Sequence, residues 1–275
     1  GKLQEAEIYT LRAIELNPAH ADAHSNLGNI LRDSGKLEEA ELSTRNAIEL
    51  NPNSPGSHSN LGNILSDLGK LEEAEASTRK AIELNPNFAN AHFNLGNILS
   101  DIGKTDEAEA SIRKAIELNP NFTSAFLSLA NLFRGIGKHE EAAVSIRKAI
   151  ELNPHYAPAY STLGIILCNL GKAEEAESST RKAIELNPNF ADAYCNLGNI
   201  LTGLDKLAEA ESSTRKAIEL NPNLAEAYSN LGNILRNLGQ LEEAEISTRK
   251  AIELNPNFAD AYSNLGTILK DSGNL

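Results

Sequence analysis

The sequence predicts an all-α solenoid of 34-residue helix-turn-helix repeats. Three observations carry this. Asn-Pro recurs every 34 residues, from Asn17-Pro18 through Asn85-Pro86 and Asn187-Pro188 to Asn255-Pro256. Each block between these marks holds two stretches whose apolar residues fall three and four apart, as on a helix with one buried face. Small residues return at the same places in successive blocks, where two helices must cross closely. A fixed period of this length marks stacked units that each touch only their neighbours.

Taken in order, residues 1–20 are the second half of a repeat without its first helix. Seven full repeats follow at 21–54, 55–88, 89–122, 123–156, 157–190, 191–224 and 225–258, and 259–275 is a lone first helix. The whole chain, 1–275, reads as one solenoid. Neither end carries a polar capping helix, which a natural solenoid needs. The expectation is therefore a piece of a longer protein whose uncapped terminal repeats favour end-to-end self-association.

The copy at 225–258 is the cleanest. Numbering Ala225 as position 1, the first helix buries Ala227, Tyr228, Leu231, Ile234, Leu235 and Leu238. Gly239 at position 15 stops it, because glycine takes the left-handed conformation without steric cost. The second helix runs from Leu241 to Leu254 and ends at Asn255-Pro256, since proline disfavours helical geometry in the residue before it. Asp205 stands in for the stop glycine in its repeat, and strain is expected there. Pro55 and Pro158 fall in a first helical turn, where proline is tolerated. Position 8 is Gly in seven copies and Ala130 in the eighth. A glycine inside a helix costs about 1 kcal/mol relative to Ala, so its recurrence signals close backbone approach. Position 20 (Ala6 to Ala244) and position 27 (Ala13 to Ala251) are always Ala.

A large or aromatic residue at 4, Leu at 7, Gly at 8, Ala at 20 and 27 and Pro at 32 resemble the tetratricopeptide repeat over the entire chain. The departures are at position 4, where Trp gives way to His24, His58, His92, Phe126 or Tyr, and at position 24, where Thr44, Ile112, Ile146 or Thr214 replaces an aromatic. The phrases NLGNIL and RKAIELNPN are most similar to the repeat arm of the O-GlcNAc transferase family and to long bacterial repeat proteins. The resemblance implies a right-handed superhelix whose first helices line a concave groove, with positions 2, 5, 6, 9, 12 and 13 facing it.

Composition narrows the partner. Lys plus Arg is 25 and Asp plus Glu is 38, a net charge of −13. Nucleic acid needs a basic stripe, so the related RNA-reading helical repeats are excluded. The acidic pairs on the second helices, such as Glu72-Glu73, read as a solvated outer face, and Glu75 and Arg79 are spaced for an exposed helical ion pair. Cys168 and Cys195 lie roughly 10 Å apart along the helix axis by their register, too far for a disulfide. Unpaired thiols favour a reducing compartment, and the expected location is cytoplasmic. No apolar run of 18 residues predicts a membrane span.

Function is expected in the groove. Position 6 is Asn26, Asn60, Asn94, Asn196, Asn230 and Asn264, with Ser128 and Thr162 between. Position 9 includes Asn97 and Asn131, with Ile165 and Thr267 as exceptions. An amide carries a donor and an acceptor, so a row of them can pair with the N–H and C=O of an extended peptide. The ligand role is expected at position 6 and a repeat-locking role at position 9. Phe93, Leu127, Ile165 and Cys168 interrupt the polar row with apolar anchors suited to a binding hot spot. Position 5 holds no Lys, which argues against the clamp that grips chaperone tails. His24, His58 and His92 sit a repeat apart, roughly 10 Å between neighbouring helices, and read as packing residues, since zinc ligands lie near 2 Å from the metal. No catalytic, metal or cofactor motif is present. The favoured function is a protein-interaction scaffold for extended peptides. The alternatives are the substrate arm of a larger glycosyl- or sulfotransferase, or a self-associating spacer.

Overall fold

The computed structural model describes residues 1–273. Every element among them is a helix. The first helices of the repeats are α2 (Ala21–Asp33), α4 (Pro55–Asp67), α6 (Ala89–Ile102), α8 (Thr123–Gly135), α10 (Ala157–Asn169), α12 (Ala191–Gly203), α14 (Ala225–Asn237) and α16 (Ala259–Asp271). The second helices are α1 (Lys2–Leu16), α3 (Leu37–Leu50), α5 (Leu71–Leu84), α7 (Thr105–Leu118), α9 (His139–Leu152), α11 (Ala173–Leu186), α13 (Leu207–Leu220) and α15 (Leu241–Leu254).

The chain divides into two compact units, Gly1–Leu132 and Phe133–Leu275. In the first, α2 packs on α3, α4 on α5 and α6 on α7, while α1 packs on α2, α3 on α4 and α5 on α6. In the second, the pairs are α10 with α11, α12 with α13 and α14 with α15, followed by α16. First helices of consecutive repeats also touch: α2 with α4 and α4 with α6 in one unit, α10 with α12, α12 with α14 and α14 with α16 in the other. Second helices of consecutive repeats stay further apart and meet through ion pairs such as Arg45–Glu73 and Arg181–Glu209. Each stack therefore bends with its first helices on the inner side.

The core of each unit is a ribbon shared by successive repeats. Leu61 and Leu65 of α4 meet Ala74 of α5 and Ile98 of α6, with Ile48 and Ile102 beside them. In the other unit Leu197, Leu201, Ala210 and Ile234 repeat the arrangement. Burying each of these aliphatic side chains contributes about 1.5–3 kcal/mol. The crossing is close because position 8 has no side chain. A methyl group on Gly62 would collide with Thr78 Oγ1 and lie 3.3 Å from the Ala74 carbonyl oxygen.

Two turns punctuate the stack. Position 15 is left-handed, as at Gly69 with φ 73°, and Asp205 adopts the same region with φ 58°. The backbone N–H of Lys70 then reaches the Leu65 carbonyl at 2.8 Å, satisfying a terminal helix acceptor. At the Asn-Pro turn, Asn85 donates its N–H to the Ala81 carbonyl, and its side-chain oxygen accepts the N–H of Asn87 at 3.1 Å. The departures at position 4 belong to this turn. His58 Nε2 donates to the Pro52 carbonyl at 2.9 Å, and the Tyr160 hydroxyl donates to that of Pro154 at 3.2 Å. These rings are half-buried clasps across the turn.

Candidate functional site: the first-helix face and its asparagine rows

The position 6 asparagines bridge neighbouring repeats. In the first unit Asn60 Nδ2 donates to Ser25 Oγ and Asn94 Nδ2 to Ser59 Oγ, both at 3.1 Å. In the second, Asn196 donates to Ser161 Oγ at 3.1 Å, Asn264 to Ser229 Oγ at 3.0 Å, and Asn230 to Cys195 Sγ at 3.3 Å. Each bond joins position 5 of one first helix to position 6 of the next. The position 5 partners are buried, Ser59 to 3% and Ser229 to 2% exposure. At Ser25, Ser59, Ser161, Cys195 and Ser229, position 5 thus faces the neighbouring first helix. Asn26 is exposed and makes no such bond among the described residues.

The repeat-bridging bond expected at position 9 is found at position 6. The interhelix bond belongs to position 6, and its amide retains the Oδ1 acceptor. At position 9, Asn29, Asn63 and Asn97 of the first unit are half-buried and Asn131 is exposed. In the second unit Asn233 is half-buried and Asn199 exposed. Among the described residues, none of these six position 9 side chains is engaged in a hydrogen bond, so their donor and acceptor capacity is unspent.

The apolar candidates separate. Phe93 and Leu127 belong to the first unit and Ile165 to the second, and all three are half-buried. Phe93 packs its ring on Phe122, with centroids 4.8 Å apart. It occupies position 5, and the following position 6 is Ser128, too short to repeat the amide bridge. The pairing is visible within the sequence: a position 5 hydroxyl or thiol is followed by Asn at position 6, whereas Phe93 and Leu127 are followed by Ser128 and Thr162. That internal covariation is the signal by which the locking row could have been recognised.

Carboxylates surround the rows. Asp22, Asp33, Asp67 and Asp101 are exposed on first helices of one unit, and Asp192, Glu226, Asp260 and Asp271 on those of the other. Arg32 pairs with Asp67 at 2.5 Å and Arg236 lies 3.7 Å from Asp271.

The second-helix face is a ladder of ion pairs. Glu41 accepts from Arg45 on its own helix and from Lys70 of the next repeat, at 2.8 and 2.7 Å. Glu75 and Glu177 repeat this with Arg79 and Lys104, and with Arg181 and Lys206. The lysine, with the arginine after it, holds each of these carboxyls below the usual carboxylate range. Cys168 and Cys195 are both free thiols, and burial pushes the Cys195 thiol up to about 12, so it stays protonated. Among the described residues no group of three His, Cys, Asp or Glu could hold a metal, and no helix is long and apolar enough to cross a membrane.

Comparison with known proteins agrees with this construction. Models of the tetratricopeptide repeat match residues 89–122, 191–224 and 225–258, residues 9–41, 146–178 and 248–275, and residues 123–156. A TPR repeat model matches 28–69, 62–103 and 164–204, so the matches together run from residue 9 to 275. Comparison with curated proteins returned no match. Among solved structures, the chain is similar to the Cut9-Hcn1 hetero-tetramer of APC/C, with TM-score 0.74 and 18% identity over 97% of this chain and 53% of that one. It therefore spans about half the length of that relative. A tetratricopeptide repeat protein from Parabacteroides merdae gives TM-score 0.71 and 21% identity over 90% of this chain and 98% of that one. YrrB, described as a TPR protein with an unusual peptide-binding site, gives TM-score 0.53 and 28% identity over 68% and 96%. With repeat models along the chain and the paired helices they describe, the chain belongs to the tetratricopeptide repeat family.

Proposed function

We propose that this chain is a protein-interaction scaffold that holds an extended, basic peptide segment against its first helices. The observation that carries this is the position 9 row, Asn63, Asn97 and Asn131 in one unit and Asn199 and Asn233 in the other, whose amides have no hydrogen-bond partner among the described residues. Neighbouring helices stand roughly 10 Å apart and an extended chain advances about 3.4 Å per residue, so one amide meets about every third peptide unit. Each can accept an N–H and donate to a C=O of the peptide backbone. The Oδ1 atoms of Asn60 and Asn94 add acceptors beside them. The flanking carboxylates, Asp33 and Asp101 among them, suit Lys or Arg side chains. The likeness to YrrB, a TPR protein with an unusual peptide-binding site, supports the same reading.

The test is binding of fluorescent Lys-rich and Glu-rich decapeptides to the native chain and to N63A/N97A/N131A. The reading expects the Lys-rich peptides to bind and the variant to weaken them at least tenfold at unchanged helical content. Equal affinity in the variant removes the position 9 row from the site.

A second reading, end-to-end association of the isolated chain, is favoured by Gly266. A methyl group there meets nothing within 4 Å, whereas its counterparts at Gly62 and Gly232 press on a second helix. Tyr262 of α16, and Leu3, Tyr9 and Leu11 of α1, are exposed large apolar residues. Sedimentation of the chain should show concentration-dependent growth that Gly266→Lys abolishes; a monomer at all concentrations refutes it.

A further inference from the structure

The ion ladder on the second-helix face has one rung missing. Position 21 is Glu in seven of its eight copies and Ala143 in the eighth. In six of those seven the carboxylate bonds the arginine one turn later on its own helix; Glu7, followed by Leu11, instead takes Lys36, the lysine that opens the next second helix. Arg45 and Lys70 converge on Glu41, Arg79 and Lys104 on Glu75, and Arg181 and Lys206 on Glu177. At Ala143 the carboxylate is absent and both cations remain, as Arg147 and Lys172. Arg147 reaches only Glu175, at 3.6 Å, where its counterparts make the same inter-repeat contact at 2.6–2.9 Å. Lys172 is exposed and has no ion-pair partner among the described residues. A chain of net charge −13 has here left two cations around a vacated carboxylate position.

A cavity adjoins this gap. Between α9, α10 and α11 lies an open pocket of about 640 Å³, with Ile150, Leu163 and Tyr160 among its lining and Arg147 on its rim. The corresponding pockets one and two repeats into the first unit measure about 430 and 470 Å³. The other charges on the larger pocket are already paired: Arg181 with Glu177 and Glu209, and Lys182 with Glu185. Glu151 is held by Lys148. Arg147 is thus the rim cation left without a close carboxylate, and its side chain is 48% exposed.

We infer that this second-helix face of the repeat at 123–156 is a docking site for a partner segment that presents a carboxylate beside an aliphatic side chain. The carboxylate takes the place of the missing Glu and joins Arg147 to Lys172. A guanidinium fork and an ammonium are the donors that a carboxylate accepts best. The aliphatic side chain enters the pocket over Ile150 and Leu163. No residue of the asparagine rows lines this pocket, so the site is independent of the peptide reading above.

The experiment uses fluorescent hexapeptides that hold one Glu next to Leu or Ile, each matched by the same peptide with Gln. They are titrated against the full chain, Ala143→Glu, Arg147→Ala and N199A/N233A. Ala143→Glu is the informative variant, because it restores the residue of the other seven copies and is expected to fold normally. The expectation is that a Glu peptide binds the native chain at least tenfold tighter than its Gln partner. Ala143→Glu and Arg147→Ala should each lose at least tenfold, while N199A/N233A binds as the native chain does. Equal binding by Ala143→Glu overturns the inference, as does equal binding of Glu and Gln peptides. So does the absence of any binding at millimolar peptide. If N199A/N233A alone loses the peptide, the segment sits on the first-helix face and the inference fails while the peptide reading stands.

Discussion

Replacing Gly232 by Ala and Gly266 by Ala places the same substitution at the same repeat position in two surroundings. Away from contacts, Ala in place of a mid-helix Gly gains about 1 kcal/mol. At Gly266 nothing lies within 4 Å of the added methyl, so that gain is realised in full. At Gly232 the methyl collides with Thr248 Oγ1 and comes within 3.1 Å of the Ala244 carbonyl oxygen and 3.3 Å of Thr248 Cβ. Thr248 Oγ1 donates to that same carbonyl at 2.9 Å, so rotating it away forfeits a buried hydrogen bond, worth about 1 kcal/mol. The carbonyl is backbone and can yield only by moving α15 off α14, an overpacking cost of about 1–3 kcal/mol. The sum is a loss of about 1–3 kcal/mol at Gly232 after the propensity gain. Urea unfolding followed by circular dichroism, with hydrogen exchange across α14 and α15, reads both variants. Adding Thr248→Ala to Gly232→Ala should recover at least 1 kcal/mol, since the two residues share the contact. If Gly232→Ala is as stable as Gly266→Ala, close helix approach is not why glycine recurs at position 8.

Asp205→Gly should stabilise the second unit by about 1 kcal/mol in the same assay, because φ 58° is a conformation L side chains resist. His139→Leu should raise the melting temperature: His139 Nδ1 is buried with no partner, a defect of about 1–3 kcal/mol, and Leu fills this position at Leu37, Leu71, Leu207 and Leu241. Acid should loosen the stack. Glu41, Glu75 and Glu177 have folded values below the ordinary 4.5, so their stabilisation is present above pH 4.5 and is lost as pH falls through the folded values. Each partly exposed pair contributes about 0.5 kcal/mol. The loss should be read as a lower urea midpoint below pH 4.5, and Glu41→Gln, Glu75→Gln and Glu177→Gln together should flatten that dependence.

The helices and their turns were legible because they are set by local chemistry repeated many times. Gly at position 15 and Asn-Pro at 31 and 32 each terminate a helix for reasons internal to a few residues, and the observed bounds fall within a residue or so of those marks. The closeness required at Gly62 was legible too, since only a recurrent contact explains a recurrent helix-breaking residue. Which row bridges neighbouring repeats was not. Positions 6 and 9 lie one turn apart on one face, and helical period alone does not distinguish an amide aimed at the next helix from one aimed outward. What decides it is the neighbour's residue, Ser25 for Asn60 and Cys195 for Asn230. That neighbour is 35 residues away, one repeat plus one residue, a spacing invisible within a single repeat. For the same reason register alone did not show that Ser59 and Ser229 are buried against the next first helix.

In a repeat protein each copy is a control for the others, and departures from the common pattern are of two kinds. Phe93 and Leu127 remove the hydroxyl at position 5, and Ser128 and Thr162 remove the amide that would have sought it. Both partners changed, nothing is left unsatisfied, and the departure belongs to the packing between helices. Ala143 is different. The carboxylate is gone, yet Arg147 and Lys172 stay cationic and the pocket beside Arg147 is wider than its counterparts. An unsatisfied pair of exposed cations costs the fold little, because exposed ion pairs contribute only about 0–1 kcal/mol. Folding therefore neither forbids nor rewards that gap. The compensated departures describe how the stack is locked, and the uncompensated one leaves chemistry available to a partner, which is why the search for a binding surface on the second-helix face begins at Arg147.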